Sequence, residues 1–142
     1  MNTEPLSAQD ALVATMVAVA AADERITESE LEWISSIVGQ IPVFHGYDRD
    51  RIGRVSAMVS DLFEDEDGID ALVGLVEAAL PEHLRETAYA LACDVAAADG
   101  RIAQTEARLL EIIRHDLRVG RLAAAAIERG ARARHQPLEP RD

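Results

Sequence analysis

A chain of 142 residues, 49% of them apolar, holds enough material for the core of about one domain. Its net charge of −12 excludes the basic surface on which sequence-independent nucleic-acid binding depends. All fourteen basic residues are Arg, which removes P-loops, Schiff-base lysines and Ser-Lys dyads together, and the single cysteine, Cys93, leaves no intrachain disulfide.

Aromatic residues make up only 4% of the chain, and Ala, Leu, Val and Ile recur at helical spacing, so the expected class is all-α. Residues 1–6 read as a loose tail. Ser7 caps a first helix to about Ala22, with Asp10 in its first turn against the positive end of the helix dipole. Leu12, Met16 and Val19, flanked by Val13, Val17 and Ala20, give that helix a wide apolar stripe. The apolar stretch from Ala8 to Ala22 is interrupted by Gln9, Asp10 and Thr15 and lacks a basic segment ahead of it. It therefore reads as neither a secretory leader nor a membrane span, and a cytoplasmic chain with no direct membrane insertion is expected.

Asp23 to Ile26 make a tight turn, after which Thr27 and Glu30 form the capping-box pattern of a second helix. Its buried face carries Leu31, Ile34, Ile37 and Ile41, with Trp33 beside them. Pro42, bracketed by Gly39 and Gly46, forces a break. Asp48 is placed to cap a third helix with Ile52, Val55, Val59 and Leu62 on one face and Met58 and Phe63 adding to its core contact. An acidic run, Glu64 to Asp67, ends at Gly68 and leads into a fourth helix through Leu72, Val73, Val76 and Leu80. Pro81 opens a fifth helix that runs to about Ala98. A sixth carries Leu109, Leu110, Ile113 and Leu117, and a seventh spans about Arg118 to Ala131 with Leu122 and Ile127 on one side. The whole is one domain with its core at about residues 7–131, and residues 132–142 are expected to fray. From Arg118 onward six Arg stand against three acids, a net of +3, which leaves −15 on the rest. A solvated helix end is the simplest reading of that basic tail.

One unit occurs twice. Ala20 to Ile34 and Ala96 to Leu110 are related by a constant offset of 76 and share seven of fifteen positions, among them the Asp, Arg, Ile and Glu of Asp23-x-Arg25-Ile26-x-x-x-Glu30 and Asp99-Gly100-Arg101-Ile102-x-x-x-Glu106. Each copy reads as helix, turn, helix, with Ile26 or Ile102 anchoring the turn in the core. Asp23 and Asp99 can satisfy backbone N–H groups at the start of the next helix, and Glu30 and Glu106 can complete capping boxes. The second copy has Ala103 at the N-cap position, which cannot accept the N–H bond, yet it keeps Glu106.

That departure raises a second role. Asp-Gly-Arg-Ile-x-x-x-Glu has the register of the later part of an EF-hand loop, whereas the earlier ligand positions, Val95 and Ala97 or Val19 and Ala21, are apolar, so neither copy is an EF-hand. A divalent cation such as Ca²⁺ would need both copies to pool their oxygens or a heavily hydrated site in one of them. Metal binding and helix capping both remain open for these carboxylates.

The Ala-rich helix running into Ala-Ala-Ala-Asp-Gly-Arg-Ile with Glu four residues after Ile, together with the same unit earlier in the chain, resembles the tellurite-resistance TerB family over about Ala11 to Leu117. The resemblance implies a compact bundle of about seven helices made of two related, pseudo-symmetric halves. It also implies a link to tellurite and other stresses, a protein partner of chaperone-like or membrane-associated kind, and a peripheral place at the inner membrane through that partner. The family's acidic, metal-implicated positions carry over onto Asp23, Glu30, Asp99 and Glu106. Glu24 stands where Gly100 serves the second turn, so a left-handed residue costs more in the first copy.

Nothing else in the chain carries chemistry as plainly. His45, His83, His115 and His135 have no metal-ligand spacing, Cys93 falls on a helix face expected to pack inward, and Asp94 beside it disfavours a thiolate. With no nucleophile, Gly-rich loop or oxyanion donor, the reading is a non-enzymatic acidic binding module. The alternative is a purely structural interaction domain that docks a basic partner without a specific metal site.

Overall fold

A computed structural model of the chain describes residues 6–22, 26–98 and 104–140. Among these residues the fold is all-helical, with no strand: α1 (Ala8–Ala20), α2 (Glu28–Val38), α3 (Arg51–Phe63), α4 (Gly68–Ala79), α5 (Arg85–Ala97), α6 (Gln104–Asp116) and α7 (Arg121–Arg134). Short 3₁₀ turns at Pro42–Phe44 and Glu82–Leu84 precede α3 and α5. No helix of the described chain is long and apolar enough to cross a membrane.

The helix expected to carry a stripe is enclosed on every side. Each residue of α1 from Asp10 to Val19 is buried, because α2, α3, α4, α5 and α6 all pack against it. Ala11, Ala14 and Ala18 let neighbouring backbones come close, while Leu12, Met16 and the three valines fill the spaces between them. Thr15 is tolerated there because its hydroxyl donates to the Ala11 carbonyl at 2.8 Å. The second central helix, α5, packs on α1 and carries α6 and α7 in turn, with Ala88, Leu91, Ala92, Val95 and Ala96 buried along it.

The start of α1 is pinned by a charge. Ser7 Oγ accepts from the Asp10 amide at 3.0 Å, closing the expected cap. The Asp10 carboxylate, however, is not at the surface: the residue is 2% exposed. Its oxygens accept from Arg51 Nε at 3.0 Å, Arg51 Nη2 at 2.5 Å and the Tyr47 hydroxyl at 2.8 Å. Gln9 adds bonds to the Val43 and His45 carbonyls. The segment between α2 and α3 is thereby fastened to the N-terminus of α1.

Several boundaries differ from the sequence reading for local reasons. α2 ends at Val38, so Ile41 lies outside it and is 37% exposed, and Trp33 is turned outward, its ring meeting that of His135 edge-on at 6.1 Å between centroids. Asp48 does not cap α3 directly; its Oδ1 accepts from the Asp50 amide and its carbonyl from the Arg51 amide, a turn that delivers the chain to the helix. Gly68 opens α4 where a Cβ would overlap the Leu62 carbonyl.

The largest correction is at the end of α6. Arg118 has φ +58°, and the amides of Arg118 and Val119 bond to the carbonyls of His115 and Arg114 at 3.1 and 3.0 Å. This is a Schellman motif with Arg in the position that usually holds Gly, closed by the buried Val119. Arg118 therefore ends α6 instead of starting α7, which begins at Arg121, leaves Leu122 exposed, and continues past Ala131 to Arg134.

Replacing Arg118 by Gly should stabilise the fold by roughly 0.5–1 kcal/mol in urea denaturation, since a left-handed Arg is strained and Gly is not. Asp10→Ala should cost about 2–3 kcal/mol, because the phenol and guanidinium lose their buried acceptor; the Arg51 side chain, 43% exposed, keeps the loss below that of a fully enclosed pair. Arg51 and the Tyr47 hydroxyl hold the Asp10 carboxyl below its ordinary value of 3.8 against the opposing effect of burial. Its contribution is therefore present above that value and lost as pH falls from there through the folded pKa. Asp10→Asn should flatten the acid limb of the stability–pH curve.

Candidate functional site

The two repeated units supply the first candidate. In the first, Thr27 Oγ1 accepts from the Glu30 amide at 3.2 Å, while Glu30 Oε1 accepts from the Thr27 amide and hydroxyl, each at 2.9 Å. The capping box is complete, and Ile26 is half-buried against the core as the turn anchor. Glu30 and Glu106 hold the same place, the third residue of α2 and of α6, and each is half-buried. Asp23, Asp99, Gly100 and Ile102 lie outside the described residues.

The donor set tests the cation reading unequally. A cation at Glu30 would compete with two hydrogen bonds to Oε1. In the second unit Ala103 leaves no hydroxyl for such a box, and what it shares with Thr27 is the backbone N–H alone. Among the described residues no three His, Cys, Asp or Glu side chains are gathered to hold a metal ion.

The second candidate is a groove that sequence reasoning missed. It has a volume of about 420 Å³ and lies between α6 and α7 over α5. Tyr89 and Cys93 of α5 face it; the Tyr89 hydroxyl donates to Glu128 Oε2 at 2.6 Å. Burial, then the bond to Glu128, raises the Tyr89 phenol well above its usual value. Burial pushes the Cys93 thiol up to about 11, so it is overwhelmingly protonated at neutral pH and poorly suited to nucleophilic attack.

The lower end of α7 is latched beside this groove. Asp94 accepts from Arg134 Nη2 at 2.6 Å, His135 Nε2 lies 3.4 Å from the same oxygen, and Trp33 closes over the His135 ring. These partners are separated by 40 residues or more along the chain, and neither periodicity nor a short motif announces them. Of the other histidines, His83 is exposed in the 3₁₀ turn before α5, and His115 sits in the last turn of α6 beside Asp116.

The fold and these surfaces define an all-helical domain, of net charge −12, with a groove between helices. A family model described as tellurite resistance protein TerB matches residues 9–129, and the chain belongs to this family. Comparison with curated proteins and with solved structures produced no match.

The capping box has a direct consequence. Thr27→Ala removes an acceptor that the first turn of α2 uses and should cost about 1 kcal/mol in thermal or urea unfolding, whereas Ala103→Thr in the second unit should stabilise α6 by completing the corresponding box.

Proposed function

We propose that this TerB-family domain acts as a non-enzymatic, acidic helical binding module in tellurite and stress resistance, and that its second repeated unit binds a divalent cation such as Ca²⁺ through Asp99 and Glu106. The supporting observation is that the second unit keeps the acid at this helical position, Glu106, together with Gly100 in its turn, although Ala103 removes the hydroxyl that meets Glu30 in the first unit. Asp23 and Glu30 then serve mainly as architecture. The cation in this reading would sit at the positive end of α6, where a carboxylate already balances the helix dipole, and would retain water for most of its coordination.

The module's partner is proposed to be a protein, with membrane association, if any, arising through that partner. The charge of −12 suits a basic surface, and encounter with it would be steered and salt-sensitive. The complete capping box also favours, for the first unit, the purely structural alternative in which the repeated acids hold helices and bind no ion.

Thermal-shift titration with Ca²⁺, Mg²⁺, Mn²⁺ and Zn²⁺ separates the readings. A specific site raises Tm saturably with one of these ions, by the linkage between binding and folding, and Asp99→Asn with Glu106→Gln abolishes the rise while Asp23→Asn leaves most of it. A shallow response common to all salts, unchanged in the double variant, contradicts the cation reading and leaves the structural one.

A further inference from the structure

The groove over α5 is lined by none of the repeated acids, although Ala97, Ala107 and Leu110 of the second unit border it, and it has the composition of a small-ligand site. Its floor is apolar, formed by the Tyr89 ring, Cys93, Ala97, Leu110 and Ala131, and its volume of about 420 Å³ lies within the range of small-molecule pockets, about 300–1,000 Å³. The charged residues stand on the two walls. Arg114 of α6 and Arg132 of α7 both line the cavity, and neither guanidinium has an ion-pair partner among the described residues. Glu111 and Glu128 line the same walls, but the Glu128 carboxylate is engaged by the Tyr89 hydroxyl.

We propose that this groove binds a small amphiphile with an apolar chain and a singly charged carboxylate head, a monocarboxylate of the fatty-acid type. The chain lies along the alanine, leucine and thiol lining, and the head takes charge-assisted hydrogen bonds from Arg114 and Arg132, whose planar donor forks match a carboxylate. The sign of the head follows from occupancy: one of the two acids already holds a donor, while among the described residues neither guanidinium has an ion-pair partner. The single charge follows from Glu111 and Glu128, which repel a dianionic head such as a phosphate monoester.

The test is calorimetric titration of the folded full-length chain with octanoate, octylamine or octyl phosphate, each below its micellar concentration. Octanoate should bind saturably, and the other two at least tenfold more weakly. Arg114→Gln and Arg132→Gln should each weaken octanoate binding roughly tenfold, and Ala107→Trp, at an exposed position on the α6 wall, should block it. The proposal is overturned if octanoate gives no saturable binding, if octylamine or octyl phosphate binds equally, or if both Arg variants bind octanoate as the parent does. The comparison of the three amphiphiles on the parent chain decides the matter even where a variant fails to fold.

Discussion

The structure depends on the complete enclosure of α1. A helix with no solvent face must satisfy two conditions at once: its residues must be small or apolar at every azimuth, and its neighbours must be numerous enough to cover it. Ala11, Ala14 and Ala18 meet the first condition by letting helices approach closely, and Leu12, Met16, Val13, Val17 and Val19 fill what remains. The second is met by the five helices that follow it, α2 to α6. Burial of a large aliphatic side chain is worth about 1.5–3 kcal/mol, so α1 concentrates much of the favourable term in one element. Its neighbours are positioned by it.

Non-directional burial does not fix where along α1 those neighbours sit, and polar contacts supply that information. Asp10 is buried at the first turn, and its two oxygens are shared by Arg51 and Tyr47, which places the α2–α3 connection and the start of α3. At the other side of the molecule, Asp94 collects Arg134 and His135 and so fixes the end of α7 on α5. Between them, the left-handed Arg118 reverses the chain after α6 so that α7 can return over α5. The groove is a consequence of these placements, since α6 and α7 both pack on α5 and their walls meet incompletely above it.

Much of this was legible in the sequence. The helix count and class followed from periodicity, and two caps, Ser7 and Thr27 with Glu30, were readable because capping is local chemistry within four residues. What escaped was long-range or exceptional. Asp10 read only as an acid complementing the helix dipole, because its partners lie 37 and 41 residues away. Arg118 gave no warning of a helix stop, since Gly or Asn is the usual signal for a left-handed residue. The end of α7 was misplaced for a related reason: basic residues near a terminus usually read as solvated, and Arg134 is instead held by an acid on another helix. The groove had no motif at all. Of the repeated acids, the sequence supplied the positions and the asymmetry, and the structure shows what Glu30 does.

The functional account rests on that asymmetry. The two units keep a Glu at the same helical position, but the N-cap residue is a threonine in one, where its hydroxyl bonds to Glu30, and an alanine in the other. Membership of the TerB family connects the domain to tellurite resistance, and the proposal places ion binding in the second copy. The most direct test is a two-dimensional amide NMR titration of the folded chain with Ca²⁺. The account predicts saturable shifts centred on Asp99 to Ala107, with Thr27 to Leu31 nearly unmoved. Shifts of equal size in both units, or none beyond those produced by matched ionic strength, would contradict it.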